Sequence, residues 1–270
     1  MKASKEHISF LEDKYGIHIE RIKPEKPLPI AIKEVGYPFL TKHCSQMMSR
    51  AKKHGFDYKE DYDKPLEELI GKYPRAKSAC KWYCDTYNRS TIYDSPSQFS
   101  IHRHPYLKEF LRDNPPTIPI SDKCCDLCKK APSKKYCKDN DIQIVCTGVR
   151  KAEGGVRASR KECFLFKSKG LSLFSPILWF TESDKKEYEK IFGIEHSEAY
   201  TKYGFKRTGC CGCPFNSKAL SELDTLEKVE PNLVKAAKSI FGEVYEYERQ
   251  YYEYREKCKK EKRLKQKQEK

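Results

Sequence analysis

Apolar residues recur at helical spacing from the start of the chain: Ile8, Leu11 and Tyr15 follow Ser4, and Gly16 stands where a left-handed residue ends a helix. This spacing predicts an opening helix with Ser4 as its N-cap. Residues 17–22 then alternate apolar and polar, as a half-buried strand does, and the prolines between 24 and 29 break the pattern. A strand leaving a helix through a short turn points to an α/β unit. Residues 39–53 read as a helix that Gly55 can end, and the proline-interrupted, aromatic stretch 57–120 fits short helices at 65–73 and 74–87 followed by irregular chain. Trp82 and Tyr83 are expected in the core, since aromatics at helical spacing usually pack inward. A further helix is predicted over 126–138. Residues 141–147 alternate and then run apolar as a buried strand would, and a second strand and turn at 175–180 leads to Thr181-Glu-Ser-Asp184, a capping-box helix start. Helices across 217–242 and a long tyrosine- and lysine-rich helix complete the chain.

Composition narrows the class. The 270 residues suffice for one large or two small domains. With 34% of residues charged and no apolar run of about 18 residues, neither a membrane span nor a membrane partner is expected. Met1-Lys-Ala-Ser4 lacks the apolar stretch of a signal peptide, so a cytoplasmic protein is expected. In that reducing compartment thirteen cysteines suit thiolate chemistry or metal binding better than disulfides. The net charge of +15 is uneven: residues 255–270 hold nine Lys or Arg against three Glu. Such a basic helical tail, 251–270, can follow a nucleic-acid backbone or serve only as a solvated end.

Candidate chemistry lies in the cysteines and arginines. Cys124 and Cys125 form a doublet, and after a spacer of 84 residues Cys210 and Cys213 form a CxxC. Adjacent cysteines on a helix point roughly 100° apart, so one tetrahedral ion meets both with difficulty, whereas an iron–sulfur cubane accepts them on separate irons. Zinc, which more often draws on CxxC at both ends, is the alternative, and buried inert thiols are the plain one. Lys129, Lys130, Lys134 and Lys135 follow the doublet and would surround that site with positive charge. Arg150, Arg157 and Arg160, with Glu153 among them, follow the strand at 141–147. Ligands of open α/β sheets gather at such a strand end, and guanidinium forks hold phosphate or sulfate oxygens there. The histidines are scattered, His102-Arg-His104 reading as an exposed loop, and no Gly-x-Ser-x-Gly or P-loop is present.

Taken in order, Ile120-Ser-Asp-Lys-Cys-Cys-Asp-Leu-Cys-Lys-Lys-Ala-Pro132, Gly148-Val-Arg-Lys-Ala-Glu153 with Arg157, Pro176-Ile-Leu-Trp-Phe-Thr-Glu-Ser-Asp184 and Arg207-Thr-Gly-Cys-Cys-Gly-Cys-Pro-Phe215 resemble the phosphoadenosine phosphosulfate (PAPS) reductase family. Glu6-His-Ile-Ser-Phe-Leu11 and Tyr37-Pro-Phe-Leu-Thr-Lys42 look like its phage and mobile-element branch. The resemblance implies an adenine-nucleotide α-hydrolase-like α/β fold: a truncated parallel sheet with a helical, cysteine-rich C-terminal half, spanning residues 1–250. It implies a [4Fe-4S] cluster on Cys124, Cys125, Cys210 and Cys213; Cys211 and Cys128 are extra thiols that the family pattern does not assign and that could substitute as ligands. Arg150, Glu153 and Arg157 match the motif lining the nucleotide sulfate pocket. The implied activity is sulfonucleotide reduction or sulfur transfer on a sulfated or adenylated nucleotide, with a thioredoxin-like donor as partner. The alternative is a non-catalytic, metal-stabilised module for nucleic acid or a protein.

Two departures from the family pattern bear on activity. The Ser-Gly-Gly-x-Asp-Ser loop that opens family members does not occur, so the chain is expected to be a truncated or split product, to take the loop from a partner, or to have lost nucleotide chemistry. The Glu-Cys-Gly-Leu-His nucleophile is also missing. Cys258 is the only late cysteine, and its flanking lysines are expected to lower its pKa.

Overall fold

The computed structural model describes residues 1–86, 97, 99–168, 170–206 and 209–268. Its helices are α1 (Lys2–Tyr15), α2 (Leu28–Val35), α3 (Lys42–Lys53), α4 (Leu66–Lys72), α5 (Lys77–Tyr83), α6 (Leu107–Asp113), α7 (Ala131–Asp139), α8 (Glu182–Ile191), α9 (Glu198–Thr201), α10 (Ala219–Glu227) and α11 (Pro231–Gln268). Three short strands, β1 (Ile144–Cys146), β2 (Phe164–Leu165) and β3 (Ser172–Phe174), form the sheet of the described residues. The chain divides into two compact units, one made of Met1–Glu25 with Lys129–Arg207, the other of Lys26–Cys128 with Thr208–Lys270.

The second unit is helical and holds most of the apolar core. Along α11, Phe241, Val244, Tyr245, Glu248 and Tyr251 are buried at i, i+3, i+4, i+7 spacing, which turns one stripe inward. Rings interlock there: Tyr247 lies 5.0 Å from Phe39 and 5.2 Å from Phe110, and Tyr251 lies 5.4 Å from Phe110. Each such ring is worth about 1.5–3 kcal/mol on burial. The tyrosine hydroxyls also anchor the α6 region, since Tyr247 donates to the Asn114 carbonyl (2.8 Å), Tyr251 to that of Pro105 (3.0 Å) and Tyr254 to the Asp113 carboxylate (2.7 Å). A second aromatic nest joins Phe56, Tyr58, Tyr73 and Tyr83, with Trp82 and Tyr83 fully buried as their spacing predicts.

The first unit is thinner. β1 and β3 pair in parallel, Val145 opposite Leu173, while β2 runs antiparallel to β3 with Leu165 also opposite Leu173. The expected parallel sheet is therefore a small mixed one. β1 is an edge, so Ile144 is half exposed rather than buried as the apolar run at 141–147 suggests. The expected strand at 17–22 is irregular: it finds no partner strand, and its Ile19 N–H and Arg21 guanidinium bond instead to the Glu12 carboxylate, both at 2.9 Å.

Local signals fared better. Gly16 caps α1 at φ 60°, although the helix starts at Lys2, before Ser4. The Thr181/Asp184 capping box opens α8 as expected, but the strand before it is Ser172–Phe174, and 176–179 form a turn. The helix expected over 74–87 ends at Tyr83, and Tyr87 lies outside the described residues. No described helix is long and apolar enough to cross a membrane.

Candidate functional site

All four motif cysteines lie in the second unit. The doublet follows a backbone clasp in which the Tyr37 N–H donates to Pro119 O and the Ser121 N–H to Tyr37 O, both at 2.7 Å. Gly36 permits that approach: it sits at φ 99°, and a Cβ there would fall 2.7 Å from Pro119 O. Past the doublet, Asp126–Lys130 form a π-helical turn ahead of α7, a local widening often found at functional sites. Lys42 reaches this turn, 3.5 Å from Asp126 Oδ1.

The CxxC is a tight turn, with the Cys213 N–H donating to Cys210 O at 3.1 Å. Gly212 inside it is buried at φ 62°, and a Cβ would lie 3.0 Å from Ala237 Cβ and 3.2 Å from Leu223 Cδ2. The Tyr245 hydroxyl donates to the Gly212 carbonyl, so the turn is clamped onto α10 and α11. Arg207 and Thr208, which precede it in the motif, lie outside the described residues.

The two cysteine pairs act on one another. The buried Cys124 thiol is pushed far above the ordinary thiol range by its hydrogen bond with Cys125, by burial, and by the charges of Cys125, Cys213 and Cys210. None of the thirteen cysteines is in a disulfide. Cys211 is half-buried; burial raises its pKa, and the Glu230 and Glu222 carboxylates add to the effect. Cys128 is half-buried in the π turn. Cys258 departs from expectation: burial, then Glu261, raises its pKa, and Lys257 opposes this only weakly because the thiol lies along α11 among carboxylates that include Glu109.

The arginine set lies in the first unit. Arg150 is nearly buried and committed, donating to the Thr181 carbonyl (3.2 Å) and the Glu182 carboxylate (2.7 Å). Glu153 accepts from the Arg150 N–H at 3.3 Å and pairs with Arg157 Nε at 3.1 Å, leaving the Arg157 side chain half exposed. Arg160 donates to the buried Ser175 hydroxyl (2.8 Å), itself 2.8 Å from Thr147 Oγ1. These groups gather just beyond the C-terminal ends of β1 and β3, where sheet ligands are expected. Sequence reasoning missed Glu182 as the partner of Arg150, because its motif reads as a helix start, and it missed Ser175 as the support of Arg160.

Other expectations met different surroundings. Of the doublet-following lysines, Lys135 is paired with Asp139 at 3.7 Å. His104 is not in an exposed loop: it is half-buried, and burial with Arg103 and Arg255 pushes its pKa down to about 4.

No curated protein matches the chain. Residues 91–216, which contain the doublet, the arginine set and the CxxC, match the family model described as phosphoadenosine phosphosulfate reductase domain. That segment is thus similar to the phosphoadenosine phosphosulfate reductase domain.

Proposed function

We propose that this protein holds a [4Fe-4S] cluster on Cys124, Cys125, Cys210 and Cys213 and binds an adenylated or sulfated nucleotide through Arg157 and Arg160, acting in sulfonucleotide reduction or sulfur transfer. The observation that carries this reading is the mutual influence of two cysteine pairs, with 84 residues between them, within one compact unit. Four neighbouring thiols repel one another as they ionise, and bound cations relieve that repulsion. Among the described residues no three His, Cys, Asp or Glu side chains are placed to hold one ion. The preference for donors on separate irons over a single zinc rests on the doublet, whose adjacent side chains point roughly 100° apart on a helix. When bound, such a cluster supplies a charged centre whose potential is set by its thiolates and their hydrogen bonds.

The protein's own residues divide the remaining work. Arg150, fixed by Glu182 and Thr181, stiffens the loop. Glu153 orients Arg157, whose exposed fork can take a sulfate or phosphate oxygen pair. Reduction further needs a thiolate to attack sulfur, and a thioredoxin-like donor to resolve the product. Cys258, with its raised pKa, is poorly suited to that attack, which favours sulfur transfer or a thiol brought by a partner. The exposed, lysine-rich end of α11 supports the second reading, a module that binds nucleic acid.

Anaerobic purification with iron, sulfide and zinc analysis tests the proposal. About four irons and four sulfides per chain are expected for a cubane, with both lost in Cys124→Ser and Cys213→Ser. Zinc alone would shift the reading to the structural module, and unchanged iron in both variants would sink the ligand assignment.

A further inference from the structure

The parallel strands β1 and β3 have two ends, and the arginine set occupies one. At the other, where Gln143 leads into β1 and Leu171 into β3, a cavity of about 540 Å³ opens between α7 and the sheet. Its lining carries three lysines, Lys134, Lys138 and Lys167, with Asp141 and Gln143 as polar groups and Cys137, Ile142 and Leu171 as the less polar surface. The volume falls within the range of small-molecule sites, about 300–1,000 Å³.

The walls are built by specific bonds. Lys134 and Lys138 stand four residues apart on α7 and so share a face. Asp141, at φ 52°, turns the chain out of that helix, and the Ile142 N–H donates to Cys137 O at 2.8 Å. Opposite, the Lys167 N–H donates to the Ser172 hydroxyl (3.1 Å), and the Ser172 N–H donates to Gln143 O (2.9 Å). Three sides of the cavity are thereby tied together, and none of them involves Arg150, Arg157 or Arg160.

The electrostatics are unbalanced. Among the described residues, no carboxylate lies within 4.0 Å of the Lys134, Lys138 or Lys167 ammonium, Asp141 included, whereas the neighbouring Lys135 is paired with Asp139. Three ammoniums against the single carboxylate of Asp141 in one lining raise the local potential and draw in an anion. Three ammoniums exceed what one phosphate requires, and the apolar and amide surface beside them suits a base and ribose.

We infer that this cavity is a second anion site, taking a nucleoside polyphosphate with its phosphates on Lys134, Lys138 and Lys167. The inference is independent of the cluster and of the arginine set. Calorimetric titration of the full chain with inorganic tripolyphosphate and with ATP tests it, comparing wild type with the triple variant Lys134→Ala/Lys138→Ala/Lys167→Ala. All three lysines are exposed, so the triple variant is expected to fold. Both probes should bind wild type, ATP more tightly. The triple variant should lose at least about tenfold in tripolyphosphate affinity, the loss of one charge-assisted bond or more. No tripolyphosphate binding to wild type, or equal binding by the triple variant, would overturn the site. Tripolyphosphate binding as tight as ATP would overturn its nucleoside part.

Discussion

The two units use polar residues in opposite ways. In the helical unit the chemistry sits on a packed platform: the CxxC turn is locked by Gly212 and Tyr245 against α10 and α11, and a carboxylate, Glu248, is buried among tyrosines. The sheet unit has few buried apolar residues, chiefly Ala3, Cys137, Leu178, Ala199 and Phe205, and polar bonds do much of the joining. There Arg150, Ser172, Ser175 and Ser197 are buried, each tied to a neighbouring segment. Motif residues in the first setting are positioned by backbone packing. In the second they are positioned by one another, so some are committed before any ligand arrives.

The largest expected effect tests the packed platform. Gly212→Ala puts a side chain in the left-handed region, costing about 1–2 kcal/mol, and presses it onto Ala237, Leu223 and the Tyr245 hydroxyl, costing about 1–3 more. Chemical denaturation should show a loss of about 2–5 kcal/mol by these two costs, together with reduced metal content. An unchanged midpoint would mean the turn is not clamped.

Glu248 tests the same platform through pH. Burial raises its pKa to about 7, against 4.5 for the unfolded group, although the Leu40 N–H donates to it at 3.0 Å. Between those values the folded state keeps a proton that the unfolded state has lost. Its contribution is therefore full below pH 4.5 and is lost as pH rises through about 7. Cys44, Tyr245 and Tyr252 feel the same carboxylate and are themselves pushed up by burial. Glu248→Gln keeps an acceptor for Leu40 and removes the titration. It should match wild type at about pH 4.5 and gain on the order of 3 kcal/mol at about pH 8. A constant difference across that range would show that Glu248 titrates normally.

What could be read in the sequence follows the same division. Gly16, the Thr181/Asp184 box and the Trp82–Tyr83 core depend on neighbours within a few residues, and they were legible. That the two close-spaced cysteine pairs belong together was legible because they stand out against the scattered cysteines of the rest of the chain. The strand expected at 17–22 was not, because alternation states a preference and a strand needs a partner. Neither the exposed edge position of β1 nor the half-buried setting of Cys258 could be seen, since both depend on which distant segment lies alongside. Pairing hid Arg150: its counter-charge, Glu182, is 32 residues away and belongs to another motif.

The smallest effects separate the two roles inside the arginine set. Arg150→Ala removes a nearly buried guanidinium bonded to Glu182 and Thr181, but Glu182 is itself exposed and can return to water. The stability loss should therefore be moderate, about 1–2 kcal/mol. Arg157→Ala breaks only a half-exposed pair with Glu153 and should stay within about 0.5 kcal/mol of wild type. Binding should show the opposite order. Titration with adenylyl sulfate should weaken about tenfold in Arg157→Ala, as expected for one lost charge-assisted contact. In Arg150→Ala it should weaken less than the loss of stability suggests, because that guanidinium is already bonded within the protein. Thermal melts and calorimetry on the same two variants read both orders at once. If Arg150→Ala abolished nucleotide binding while Arg157→Ala left it unchanged, Arg150 would be the ligand contact, and Glu182 would have to release it when the nucleotide binds.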